Sequence, residues 1–233
     1  MTADSTRSPS VDDLVSRLDR VVRILTGRSA TPDEVGRFRR YVELLVLWNR
    51  SYRLTGVRSA REIVEHLIQD SLLFLTWIPA LPIKVVDLGS GAGVPGIPLQ
   101  VVRPDLSLTL IEARRKPVSF LSTVKRELQL EGIEVLEGRA EDLARTRSDL
   151  RGAFDVVVSR AVGTPGTLLP VSMQFLKPGG MFVSGGPPQA TRTITLRPGI
   201  SAKAEVVSFP ELGISRNFVV AVKQPLKAED EAQ

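Results

Sequence analysis

Four glycines follow a short apolar run in the stretch VVDLGSGAGVPGIPLQ, at positions 89, 91, 93 and 96. A ligand approaches a backbone closely only where side chains are absent, so this loop reads as a cradle. Two cofactors compete for it. Gly91-Ala-Gly93-Val-Pro-Gly96 fits the G-x-G-x-x-G pattern that brings a helix N-terminus up to a dinucleotide pyrophosphate, a weak signal by itself. Asp87-x-Gly89-x-Gly91-x-Gly93 fits the pattern of S-adenosylmethionine binders. That ligand carries no phosphate, but an amino acid part and a sulfonium cation. An acid just before the loop then makes sense, and Asp87 can hold the ammonium directly or through water. Pro95 and Pro98 lack the N–H groups that a pyrophosphate wants on the first helical turn. The expectation is an S-adenosylmethionine site built on Asp87, Gly89, Ser90, Gly91 and Gly93.

Further along, Leu110-Ile111-Glu112 ends the next apolar run. A carboxylate there accepts hydrogen bonds from both ribose hydroxyls, and Glu112 serves either cofactor equally well. Gly138-Arg139-Ala140-Glu141-Asp142 ends the third run. In methyltransferases this corner meets the adenine, and Glu141 suits its amino group; the plain alternative is an exposed charged turn. Phe154-Asp155 followed by three valines, then Leu176-Lys177-Pro178-Gly179-Gly180, form an ordered pair typical of seven-stranded methyltransferases. Taken singly, the second is only a helix stop and turn.

These residues need elements to position them. Val11, Leu14, Val15, Leu18, Val21, Val22 and Leu25 recur at helical spacing, with Gly27 as a stop. Thr31-Pro32-Asp33-Glu34 and Ser59 with Glu62 are capping boxes that open two more helices. Residues 1–80 therefore form a helical N-terminal extension packed on the core. Strands are expected over 83–88, 106–112, 133–137, 154–159, 180–184, 204–209 and 217–223, and helices near 96–102, 116–130 and 168–176. Alternation of this kind means an α/β doubly wound, Rossmann-like sheet. The last two strands have no room for a helix between them and must run antiparallel. The seven-stranded domain spans 81–226, with an acidic, frayed tail at 227–233.

Composition excludes other chemistries. The chain of 233 residues holds no cysteine, which removes disulfides, thiolate metal sites and cysteine nucleophiles, and its one histidine, His66, excludes a histidine-rich metal site. No metal is expected. There is no signal peptide and no apolar run near the roughly 18 residues a membrane helix needs, so a cytoplasmic protein without membrane contact is expected. The net charge of +5, with arginine far ahead of lysine, permits an RNA partner; codon usage explains the ratio equally well.

Residues 41–186 resemble the RsmG (GidB) family of small-subunit rRNA methyltransferases. The likeness is carried by Trp48-Asn49 with Tyr52-Arg53-Leu54-Thr55, by Asp70-Ser71-Leu72, by DLGSGAGVPGIPL with Arg103-Pro104, by LIEARRKPVSFL at 110–121, by RAEDL at 139–143 and by FDVVVSRA at 154–161. GVPGIPL is the most specific, with proline on both sides of its central glycine. The resemblance implies methylation of N7 of a guanosine in 16S rRNA, with rRNA or the small subunit as partner and a monomeric enzyme. It also implies cofactor contacts from Gly89, Val94, Ala140, Glu141 and Arg160, the last at the cofactor carboxylate or as a positioning group. Three features depart from the family: Arg53 stands where asparagine is usual, one extra residue separates His66 from Asp70, and Gly185 stands where a lysine is expected. We expect Arg53 and the C-terminal cations Arg192, Arg197, Lys203 and Arg216 to meet RNA instead.

Missing features narrow the reaction. Methylation at C5 of a pyrimidine usually needs a cysteine, and amino-group methylation often uses an Asn/Asp-Pro-Pro-aromatic motif where this chain reads Ser159-Arg160-Ala161-Val162. Guanine N7 carries a lone pair and no proton, so orientation would supply most of the catalysis. Other substrates (a different RNA or a small molecule), a non-catalytic RNA-binding relative and an NAD-dependent enzyme remain open alternatives.

Overall fold

A computed structural model describes residues 10–160, 165–186 and 200–224, with side chains over 10–160, 167–185 and 205–224. The expected tail at 227–233 and the cations Arg192 and Arg197 lie outside the described residues, as does the side chain of Lys203.

Helices α1 (Val11–Thr26) and α2 (Pro32–Tyr52) each begin at a capping box, at Ser10 with Asp13 and at Thr31 with Glu34. Gly27 ends α1 in the left-handed conformation. Leu14, Val15, Leu18, Val21 and Val22 of α1 are fully buried, each contributing about 1.5–3 kcal/mol through burial. The segment opened by Ser59 is helical to residue 77 but irregular. It runs as α3 (Ala60–Glu62), a π-helical turn over Ile63–Ile68, α4 (Gln69–Leu72) and a 3₁₀ turn over Leu73–Trp77.

The remainder alternates: β1 (Lys84–Leu88), α5 (Gly96–Val102), β2 (Ser107–Glu112), α6 (Arg115–Glu127), β3 (Ile133–Glu137), α7 (Ala140–Thr146), β4 (Phe154–Arg160), α8 (Pro165–Phe175), β5 (Leu176–Gly186), β6 (Ile200–Phe209) and β7 (Ile214–Lys223). The seven strands form one sheet in the order β3-β2-β1-β4-β5-β7-β6. Strands β1 to β5 pair in parallel, and β7 pairs antiparallel with both β5 and β6, as the short final link demands. Helix α7 was not legible: in Ala140–Thr146 only Leu143 and the two alanines are apolar, too few to set a period.

Side chains alternate across the sheet. Val85, Val156 and Val158 face α1, α2, α5 and α6, whereas Val86, Leu88 and Val157 face α7 and α8. One continuous core thus joins the N-terminal helices to one face of the sheet. Leu-Lys-Pro-Gly-Gly makes an irregular start to β5: the pairing jumps from Leu176 opposite Phe154 to Met181 opposite Val156, so the intervening residues bulge.

Candidate functional site

Because β1 to β4 are parallel, their C-terminal ends share one edge. Asp87, Glu112, the corner 138–141 and Arg160 all sit there. The strand order reverses between β2-β1 and β1-β4, which makes β1 the switch point where open α/β sheets bind ligands.

The glycine loop leaves β1 with Gly89, Gly91 and Gly93 all at positive φ, at 72°, 53° and 89°. Gly93 has a second reason to be glycine, since a Cβ there would stand 2.4 Å from Ile97. A Cβ at Gly91 would meet nothing nearer than 3.8 Å, so the loop leaves room in front of that residue. Ser90 is turned inward: its hydroxyl is buried and donates to the Asp87 carbonyl at 3.0 Å. Its main chain alone is left to face a ligand. Val94 is half-buried against the core.

Asp87 is fully buried. Its Oδ2 accepts the Gly96 N–H at 3.0 Å, while its Oδ1 is buried without a hydrogen-bond partner. Burial is the main reason its carboxyl is pushed up to about 7; the Gly96 N–H opposes that shift, and the negative charge of Glu112 adds to it. A buried acceptor with no donor invites a cationic one. Glu112 is also buried. Its Oε2 accepts the Gly91 N–H at 2.9 Å, and its Oε1 accepts from the Arg114 N–H at 2.9 Å and Nε at 3.1 Å. Of the roughly four acceptor positions of a carboxylate, one remains for a hydroxyl. Glu112 therefore anchors the loop as well as offering itself to a ribose. At the end of β3, Ala140 is half-buried and Glu141 is exposed in the first turn of α7. The open face of Gly91 and the free position on Glu112 fit the ribose end of S-adenosylmethionine, while Asp87, whose unpartnered Oδ1 is sealed beneath the loop, meets the ammonium only if the loop opens. Among the described residues, no cluster of histidine and carboxylate side chains could hold a metal.

Arg160 is held by partners inside the protein. Its guanidinium donates to the Leu67 carbonyl at 3.1 Å, to the His66 carbonyl and to Asp70 Oδ2 at 3.0 Å. Arg216, on β7, donates Nε to the same Asp70 oxygen at 3.0 Å. Arg216, expected among the RNA contacts, is thus tied into an ion pair with Asp70 and keeps only part of its side chain exposed. The π-helical turn accommodates the extra residue between His66 and Asp70, since such a turn inserts one residue into a helix. It keeps Asp70 and Ser71 on the buried face and aims two carbonyls at Arg160. The His66 side chain points to solvent.

Three residues that matter here carried no sequence signal strong enough to mark them as site residues. Tyr41, at helical spacing with Phe38 and Leu45, carries only the signal of an apolar stripe, yet its hydroxyl donates to the Ala92 carbonyl at 2.7 Å and ties α2 to the loop. Asp70 was part of a motif without a role; a single carboxylate between buried Ile68 and Leu72 was its clue. Arg114 folds back on Glu112.

Residues 34–197 match the GidB family, described as rRNA small subunit methyltransferase G. The chain belongs to this family. Among curated relatives named Ribosomal RNA small subunit methyltransferase G, that of Moorella thermoacetica is 37% identical over 68% of this chain and 66% of its own length. That of Caldanaerobacter subterraneus is 40% identical over 64% and 63%. The chain thus matches just under two thirds of the length of each of these relatives. Among solved structures, an O-methyltransferase from Bacillus cereus in complex with SAH superposes with a TM-score of 0.56 at 14% identity, covering 91% of this chain and all of the other. A SAM-dependent methyltransferase from Aquifex aeolicus gives 0.51 at 15% identity, over 70% and 93%. The fold is the class I methyltransferase fold with a helical N-terminal region.

Within the GidB family pattern, the departures have local causes. Arg53 caps α2 at φ 47°, a left-handed position that favours asparagine, the residue usual there. The neighbouring Asn49 is structural: its amide donates to Thr55 Oγ1 and the Val57 carbonyl and accepts the Thr55 N–H, fastening the link after α2. At Gly185 any Cβ would stand 2.7 Å from the Phe74 ring, which packs edge-on against Phe218 at 5.0 Å. The two rings take the space that a lysine stem would need.

Proposed function

We propose that this GidB-family chain transfers a methyl group from S-adenosylmethionine to N7 of a guanosine in small-subunit (16S) rRNA, as a monomer in the cytoplasm. The observation that carries the reading is the buried, half-unpartnered Asp87 beside an open glycine loop and Glu112, in a chain whose curated relatives are named Ribosomal RNA small subunit methyltransferase G. When bound, S-adenosylmethionine supplies an electrophilic methyl group.

The protein's part is to hold and orient. Asp87 Oδ1 takes the ammonium as the loop opens over it, Glu112 takes the ribose, and Gly89, Gly91 and Gly93 let the main chain approach. Val94, Ala140 and Glu141 line the adenine side. Guanine N7 has a free lone pair, so no side chain needs to remove a proton. Alignment of nucleophile and methyl within a walled site is the main catalytic device. Arg160, already engaged on Asp70 and two carbonyls, serves as a positioning group that fixes the helical segment over the end of β4. The test is to treat unmethylated small-subunit RNA with the purified protein and S-adenosylmethionine and map modified guanines by mass. One N7-methylguanine at a single site supports the reading; methylation only of other atoms, or none in the presence of bound cofactor, overturns it.

A further inference from the structure

Cations are paired unevenly over this protein. On α1 and the first turns of α2, Arg17, Arg23, Arg37 and Arg39 each hold a carboxylate. Where α2 ends and α6 begins, the reverse holds. Arg50, Arg53, Arg115 and Lys116 are exposed, and none has a carboxylate partner among the described residues. Unpaired surface charge of one sign, gathered at one place, favours an anionic partner.

An aromatic ring stands in the middle of this charge. Tyr52 is 46% exposed, the one aromatic side chain so open among the described residues. It is not loose. Trp48 packs on it with ring centres 5.2 Å apart, and Trp48 in turn packs edge-on at 5.5 Å against buried Phe120. Lys116 Nζ lies over the Tyr52 ring, 5.1 Å from its centre. The ring is thus rooted in the core through Trp48 and covered by a flexible cation, which a stacking base would displace toward its own phosphate. Arg114 ties this junction to the site. Its guanidinium comes within 4.0 Å of where a Cβ on Gly91 would stand, and Lys116 follows two residues later in the first turn of α6.

We propose that this junction is a landing platform for single-stranded RNA, with one base stacked on Tyr52 and the adjoining phosphates met by Arg53, Arg115 and Lys116. A ring face with clustered cations is the arrangement that binds single strands with little regard to sequence. The first turn of α6 joins the two places, with Arg114 reaching the glycine loop and Lys116 reaching Tyr52. The proposal rests on the reading of the chain as an rRNA methyltransferase.

Anisotropy of a short fluorescein-labelled single-stranded RNA of mixed sequence, titrated with the full chain across salt concentrations, tests it. Tyr52→Ala should weaken binding about tenfold and Tyr52→Trp should restore it. The pair Arg115→Ala with Lys116→Ala should flatten the slope of log affinity against log salt by about 1.4. S-adenosylmethionine affinity should match the parent in all variants, and Tyr52→Ala, which gives up its contact with Trp48, should lower the melting temperature by only about 2–4 °C. Should Tyr52→Ala bind this protein-free RNA like the parent, or the double variant keep the parent's salt slope, the platform is refuted; a ring that serves only packing, or a surface for a protein partner, gives that result. Methyl transfer to small-subunit RNA, assayed on the same preparations, separates the two readings. A parent that methylates while Tyr52→Ala loses nothing removes the platform alone. A parent that methylates no rRNA while Tyr52→Ala still loses the oligonucleotide removes the rRNA target alone.

Discussion

Asp87→Asn should make the free protein more stable at alkaline pH while weakening its hold on the cofactor. The native carboxyl is pushed up to about 7 from an ordinary 3.8, chiefly by burial. Between those values the unfolded chain has released its proton while the native chain retains it. Native stability from this group therefore falls as pH rises through that window and levels off above about 7. A shift of about three units corresponds to at most about 4 kcal/mol. Asparagine cannot ionise, and its carbonyl can still accept the Gly96 N–H. Its amide N–H groups would be left without acceptors, at about 1–3 kcal/mol. The net gain expected at pH 8 is about 1–3 kcal/mol, with each kcal/mol worth about 2–4 °C in melting temperature for a chain of this size. Binding of the cofactor ammonium pulls the other way, because it favours the ionised carboxylate. Below pH 7 the parent should release a proton on binding, seen in calorimetry as a dependence on the ionisation heat of the buffer. Asp87→Asn should release none and bind about 10- to 100-fold more weakly, as loss of a charge-assisted hydrogen bond implies. If thermal unfolding of the two proteins follows parallel pH profiles between 5 and 8, or if the parent binds without proton release at pH 6, Asp87 does not ionise to receive the ligand.

Removing Asp70 leaves Arg160 and Arg216 without their shared carboxylate, so Asp70→Ala should cost about 3–5 kcal/mol in urea unfolding; a loss under 1 kcal/mol would mean that the ion pairs are incidental. Arg53→Asn should raise stability by about 0.5–1 kcal/mol, because asparagine tolerates the left-handed cap better than arginine, and an unchanged denaturation midpoint would argue against strain at that cap. Gly185→Ala should destabilise by about 1–3 kcal/mol by driving a methyl into Phe74, and the companion change Phe74→Leu should recover part of that loss; additive losses would show that the rings are not what excludes a side chain.

Much of this protein is written locally. Capping boxes, apolar period and strand-length valine runs decide where chain segments turn, because each depends on residues within one turn or one strand of each other. The glycine loop is legible for the same reason: positive φ at three alternate glycines is a local demand, and Asp87 and Glu112 follow from standing at the C-terminal ends of their strands, Asp87 one residue before the last and Glu112 at the last. Which way a side chain faces at the site was decided elsewhere. Ser90 looked like a ligand contact and turned inward because the corner after β1 needs its hydroxyl. Arg160 looked like a cofactor contact and is held by Asp70, 90 residues away, while Arg216 reaches that carboxylate across 146 residues. Gly185 is set by a ring from the helical segment and another from β7. No periodicity reports such pairings. They arise when sheet and helices close on one another, and the burial of a charge then selects whichever opposite charge the topology has brought within reach.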